Sequence, residues 1–115
     1  MSEATIELPI FEALQQTAGA EFVVELVDTF LGEAPVMIDD LRRSLAEQNA
    51  ERFRRAAHSL KSNSNTFGAL ALGRMAKALE LGGLPTANDD GVHAIDALQQ
   101  EYARVAAALK DLCNG

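Results

Sequence analysis

The chain contains few of the residues that stabilise small secreted proteins or anchor membrane proteins. Cys113 is the one cysteine, so no internal disulfide can form. No apolar run approaches the roughly 20 residues that span a bilayer. Residues 1–10 do not show the basic region and apolar run of a signal peptide. We therefore expect no membrane association and a cytoplasmic location.

Helix-breaking residues are also scarce. The 115 residues include 8 glycines and 3 prolines, aromatic residues make up 5%, and hydrophobic residues make up 48%. Alanine and leucine dominate, and no apolar–polar alternation typical of strands is present. The length suits one core. We predict a single all-α domain over residues 1–115.

Glycine, proline and capping residues divide the chain into helical segments. The predicted helices run from Pro9 to about Thr17, Ala20 to Leu31, Pro35 to about Gln48, Asn49 (as N-cap) to Gly68, Gly68 to Gly82, and Asn88 to about Leu112. Their apolar stripes include Phe22 in the second helix and Val92 in the last. The pattern predicts an antiparallel four-helix bundle, with additional short N-terminal helices packed over one end.

One histidine lies on the polar side of its helix. At about 100° per residue, His58 falls opposite the stripe that contains Phe53 and Leu60. It shares its face with four other polar side chains, namely Arg54, Arg55, Lys61 and Ser62. An exposed imidazole among cations is a candidate nucleophile or phosphoryl carrier.

The charge around this histidine differs from that of the rest of the chain. Residues 52–79 contain six Lys or Arg and no Asp or Glu, whereas the other four basic and seventeen acidic residues carry −13, giving the total of −7. A local positive field would attract a phosphoryl group or an acidic partner. Nucleic acid is disfavoured, because the acidic remainder would repel its backbone. Chance segregation of charge is the alternative interpretation.

The same segment resembles the signature of histidine-containing phosphotransfer (HPt) domains. The resemblance is carried by His58, Leu60, Lys61, Ser64, Gly68, Ala69, Leu79 and Glu80, which fit a pattern H-x-L-K-G-S-S, three variable residues, G-A and a later L-E. Ser62 stands where the family prefers glycine, and Asn63 stands where it prefers serine or another small residue. Both side chains are short, so a partner can still approach closely.

The resemblance implies a role for each matching residue. His58 would carry the phosphoryl group, Lys61 would neutralise it, and Glu80 would orient the imidazole by accepting a hydrogen bond. Gly68 would form the turn between two helices. The expected docking surface consists of Arg54, Arg55, Ser62 and Asn65. The alternatives are that Lys61 is a surface lysine and Glu80 a solvated helix residue.

The same resemblance implies which partners the protein binds. The expected partners are response-regulator receiver domains and a hybrid sensor kinase, with Mg²⁺ on the receiver and no cofactor on this chain. We expect a monomeric carrier that is not an enzyme and does not bind nucleic acid. The competing hypothesis is a helical adaptor that binds an acidic partner through the same basic face without being phosphorylated.

Other chemistry is poorly supported by the sequence. His93 lies among Asp89, Asp90 and Asp96, but a metal site in a bundle normally collects ligands from several helices. No nucleotide-binding glycine loop occurs. The serines near His58 lack the third group of a hydrolytic triad. We therefore predict no metal site.

Overall fold

Five α-helices follow one another in the computed structural model, which describes residues 4–85 and 88–114 except the side chain of residue 88. They are α1 (Leu8–Ala18), α2 (Ala20–Glu47), α3 (Ala50–Thr66), α4 (Leu70–Gly82) and α5 (Asn88–Asn114). Within these ranges there is no β-strand. None of the helices so described is long and apolar enough to cross a membrane. The predicted all-α class is confirmed.

The four longer helices pack side by side in a closed ring. α2 contacts α3, α3 contacts α4, α4 contacts α5, and α5 returns to α2. Because short connections join them, successive helices run antiparallel. α1 packs against α2 and α3. Within the described residues one short helix therefore precedes the bundle, whereas the sequence predicts two, because the predicted helix from Ala20 to Leu31 is the first part of α2.

The core is built from one apolar stripe of each helix. Its fully buried side chains include Phe53, Ile38, Leu41, Leu60, Leu72, Ile95, Leu98 and Leu109. Phe30 on α2 contacts the end of α3 and α5, since its ring centroid lies 5.3 Å from that of Phe67, just after α3, and 6.0 Å from that of Tyr102. The apolar stripes predict that Phe22 and Val92 face the core, but both are exposed. Both lie in the opening turns of their helices, where neighbouring Val23 and Ile95 face the core instead.

The predicted break between residues 31 and 35 is wrong, because α2 is a single helix of 28 residues that passes through Pro35. Proline has no N–H, so it cannot bond the carbonyl of Leu31 one turn earlier. The Tyr102 hydroxyl on α5 donates to that carbonyl at 3.3 Å. Ala34 and Ile38, on either side of the proline, are buried. Packing and this long-range hydrogen bond hold the helix together where local propensity would end it.

The connection between α3 and α4 turns sharply at Gly68, as predicted. Its φ is +84°, a left-handed conformation that favours glycine. The backbone N–H of Glu7 donates to the Gly68 carbonyl at 2.9 Å. A β-carbon on Gly68 would lie 2.8 Å from the Glu7 carbonyl oxygen. The segment before α1 therefore packs directly on the turn that joins α3 to α4.

The start of α3 is also as predicted. The Asn49 side chain accepts a hydrogen bond from the backbone N–H of Arg52 at 3.1 Å. Such a cap satisfies one of the unpaired amide groups at a helix N-terminus. The cap and the Gly68 turn together define the length of the helix that carries His58.

Candidate functional site

His58 lies on the solvent side of α3, as its helical position predicts. Its side chain is 54% exposed, whereas Ala57 and Leu60 on the same helix are fully buried. Their burial fixes which face of α3 turns inward. The imidazole is therefore presented to solvent by a helix whose opposite side is anchored in the core.

A carboxylate from the next helix contacts this imidazole. His58 Nδ1 lies 2.6 Å from Oε2 of Glu80 on α4. The other carboxylate oxygen, Oε1, lies 2.8 Å from Lys61 Nζ. An ionised carboxylate only accepts hydrogen bonds, so Nδ1 carries the hydrogen and donates it. His58 Nε2 has no hydrogen-bond partner among the described residues.

The ionisation of Glu80 is consistent with this arrangement. Its side chain is only 13% exposed, and burial raises the pKa of a carboxyl group. The hydrogen bond from Lys61 is the largest influence and lowers the pKa, and the His58 N–H lowers it further. The net result is a pKa below the ordinary value. Glu80 is therefore a carboxylate at neutral pH, and it bridges His58 and Lys61.

The hairpin at Gly68 explains why these side chains meet. His58 lies ten residues before the glycine and Glu80 twelve residues after it, so the two reach similar heights on neighbouring antiparallel helices. Asn65 and Gly73 pack between them and the turn. The Asn65 amide occupies the space that a β-carbon on Gly73 would need. Gly73 on α4, which has no side chain, therefore leaves room for the Asn65 side chain of α3.

The positive field around His58 is weaker than the residue count indicates. Arg52 pairs with Asp40 at 2.7 Å, and Arg54 pairs with Glu51 at 2.8 Å. Lys61 is engaged by Glu80. These ion pairs bring acidic side chains from outside residues 52–79 against the basic face. The surface is a mixture of paired charges instead of a uniform cationic patch.

The predicted docking residues lie on one side of α3 but have different surroundings. Arg54, Arg55 and Ser62 are exposed around His58. Asn65 is exposed as well, but its amide packs against α4. Gly68 is buried in the turn, ten residues along the chain from His58. The structure therefore brings His58, Lys61 and Glu80 together and keeps Gly68 at a distance.

Glu51 is a residue of this face to which the sequence analysis assigned no function. It lies two turns before His58 and contacts both Arg54 and Arg55. The Arg54 hydrogen bond lowers the pKa of Glu51. Spacings of three and four residues on a helix predict such pairs. Glu51 lies one residue before the segment 52–79, so the charge of that segment does not include it.

His93 is exposed on α5. Among residues 4–85 and 88–114, no three side chains of histidine, cysteine, aspartate or glutamate are grouped so that they could hold a metal ion. The absence of a metal from the functional protein stays a prediction.

Comparison with known proteins identifies the family. The family model described as Hpt domain matches residues 25–108, from α2 to α5. The crystal structure of histidine-containing phosphotransfer protein B (HptB) from Pseudomonas aeruginosa PAO1 is similar, with a TM-score of 0.82 and 25% sequence identity. The alignment covers 98% of this chain and 97% of that one. A search of curated proteins gave no match.

The matched segment contains the exposed histidine, the hairpin and the helix that supplies the carboxylate. Members of this family carry phosphoryl groups in phosphorelays and interact with the receiver domains of response regulators. They are carriers and not catalytic enzymes. The chain described here belongs to the Hpt domain family and is a histidine phosphotransfer carrier.

Proposed function

We propose that His58 is the residue that carries the phosphoryl group, receiving it from the aspartate of one receiver domain and passing it to the aspartate of another. The observation that carries this proposal is the 2.6 Å contact between His58 Nδ1 and Glu80. It holds the hydrogen on Nδ1 and leaves the lone pair on Nε2 directed outward. A solvent-facing nitrogen with a free lone pair is what an incoming phosphoryl group requires.

In the transfer step, the Nε2 lone pair of His58 attacks the phosphorus of the receiver's aspartyl phosphate. The Nε2–P bond forms while the P–O bond to the aspartate breaks, and the aspartate leaves as a carboxylate. The ring keeps its Nδ1–H and gains positive charge, which the Glu80 carboxylate balances. The return step reverses these changes with a second receiver.

Two neighbouring side chains support this step in our proposal. Glu80 orients the ring and selects its tautomer without touching the phosphoryl group. Lys61 holds Glu80 through the 2.8 Å ion pair and adds positive charge near the phosphoryl group. The exposed Arg54, Arg55, Ser62 and Asn65 form the docking surface for the receiver.

The remaining requirements fall on the partners. We propose that the receiver supplies Mg²⁺ and that this chain needs no cofactor, because its contribution is a positioned nucleophile. A hybrid sensor kinase is the proposed source of the phosphoryl group. We expect the protein to act as a cytoplasmic monomer that does not bind nucleic acid.

Radiolabel transfer from phosphorylated receiver domains tests the assignment. The His58→Gln protein should take up no label, while His93→Gln, the matched control, should be labelled like the wild type. Circular dichroism should show the same helical content in all three, because both histidines are exposed. Labelling of the His58→Gln protein would refute the assignment. Receiver binding by a wild-type protein that never becomes labelled would favour the adaptor hypothesis.

A further inference from the structure

The two sides of His58 differ in how much space they leave. On the α4 side, Glu80 and Lys61 form the bridged contact, and Asn65 packs against Gly73. On the α2 side, an open groove of about 290 Å³ runs along α3. Its lining consists of Met37, Asp40, Arg52, Arg55, Ala56 and Ser59. His58 itself does not line this groove, but its α3 neighbours Arg55 and Ser59 do, so the open space beside His58 lies on the α2 side.

The orientation of the ring directs an added group toward the same side. Glu80 holds Nδ1 toward α4, so Nε2, across the ring, faces away from that helix. Side chains on an α-helix lean over the preceding turn, toward the helix N-terminus. For His58 that turn holds Arg54 and Arg55. A phosphoryl group on Nε2 would lie above these two arginines.

The three α3 cations within about one turn of His58 are not equally available. Arg54 donates two hydrogen bonds to Glu51, at 2.8 and 3.4 Å. Lys61 is 25% exposed and lies 2.8 Å from the Glu80 carboxylate. Arg55 is 69% exposed, and its contact with Glu51 is 3.8 Å long. Redirecting Arg55 therefore costs the least, because its existing contact is the longest.

We infer that Arg55 is the side chain that binds the phosphoryl group on His58, and that Glu51 restrains it until the group arrives. This inference rests on the proposed function of His58. Lys61 then acts mainly through Glu80 and contributes only a longer-range positive field. Arg55 lines the α2 groove, so the contact would form on the side of His58 where space is open.

The test uses phosphoramidate, which phosphorylates histidine without a partner protein. The reagent's P–N bond breaks, ammonia leaves, and the Nε2–P bond of phosphohistidine forms. A ³¹P NMR titration then measures the second ionisation of the phosphoryl group, near pH 6 for phosphoryl groups on proteins. A neighbouring cation favours the dianion and so lowers this pKa. The other charged groups that face this region are Arg54, Lys61 and Glu51 on α3, Glu80 and Lys77 on α4, and the groove residues Asp40 and Arg52.

The variants have opposite expected signs. Arg55→Gln should decrease the second ionisation constant of the phosphoryl group by about two- to fivefold, which corresponds to the free energy of an exposed ion pair. Glu51→Gln should increase this ionisation constant, because Arg55 is no longer held by the Glu51 carboxylate. Arg43→Gln removes the same charge from an exposed position on α2 and should change little. Lys61→Gln should have a smaller effect than Arg55→Gln.

The possible results separate this inference from the proposed function. Equal ionisation constants for Arg55→Gln and Arg43→Gln would overturn the role of Arg55 while leaving His58 phosphorylated. A larger effect for Lys61→Gln would assign the contact to Lys61 instead. If the wild type gave no phosphohistidine signal at His58, the proposed function would fail, and this inference with it.

Discussion

The turn at Gly68 offers the sharpest quantitative test of the fold that positions His58. Gly68→Ala forces alanine into a left-handed conformation, which costs roughly 1–2 kcal/mol. The new β-carbon would also lie 2.8 Å from the Glu7 carbonyl oxygen, a backbone atom that cannot rotate aside. Displacing that segment sacrifices the Glu7–Gly68 hydrogen bond, worth about 1 kcal/mol. We expect a total loss of about 2–3 kcal/mol in the free energy of unfolding.

This loss translates into a measurable change of melting temperature. At about 2.1 cal/mol/K per residue, 115 residues give an unfolding entropy of about 0.24 kcal/mol/K. The melting temperature should therefore fall by roughly 8–12 °C, measured by far-ultraviolet circular dichroism. Gly32→Ala is the matched control, because Gly32 lies inside α2 with no atom within 4 Å of its added β-carbon. It should stabilise the protein by up to about 1 kcal/mol. If the Gly68→Ala protein had the same melting temperature as the wild type, this account of the turn would be refuted.

Two further predictions concern long-range contacts. Tyr102→Phe should lower the free energy of unfolding in urea by about 1 kcal/mol, because the Leu31 carbonyl loses its donor. In a Pro35→Ala background, where residue 35 regains its N–H, the same substitution should cost less, and equal costs would contradict this explanation. For Glu80, Lys61→Met should raise the carboxyl pKa toward its ordinary value of 4.5, as measured by ¹³C NMR. Because folding lowers the Glu80 pKa, the stability that the ionised Glu80 contributes is fully present above pH 4.5 and is lost as the pH falls through the lowered value. If the midpoint of the Glu80 titration were the same in Lys61→Met and the wild type, Lys61 would not be the cause of the lowered pKa.

Local sequence patterns were sufficient to predict the helix that carries His58 and its exposed side. Periodicity works here because Phe53 and Leu60 occupy one face of a regular helix, and a regular helix has one core-facing side. Asn49 and Gly68 mark the ends of this helix through their own local chemistry, capping and a left-handed turn. The family signature is concentrated in this same hairpin.

Contacts between distant segments decided the features that sequence patterns missed or misjudged. Pro35 ends a helix by its local preference, but Tyr102, from another helix, satisfies the carbonyl that the proline leaves free. The charge of residues 52–79 is determined by the sequence, yet its field depends on ion pairs with Asp40 and Glu80, which lie outside that range.

The sequence by itself determined which residue we propose as the phosphoryl carrier, because His58 combines a suitable residue type, a position on the polar side of its helix and a place in the family signature. Only the tertiary structure decided which nitrogen of His58 is free and which cations remain available. Both depend on distances of a few ångströms between α3 and its neighbours, chiefly the contact of Glu80 with His58 and Lys61. Such distances are set by how helices pack, and one-dimensional spacing does not encode them.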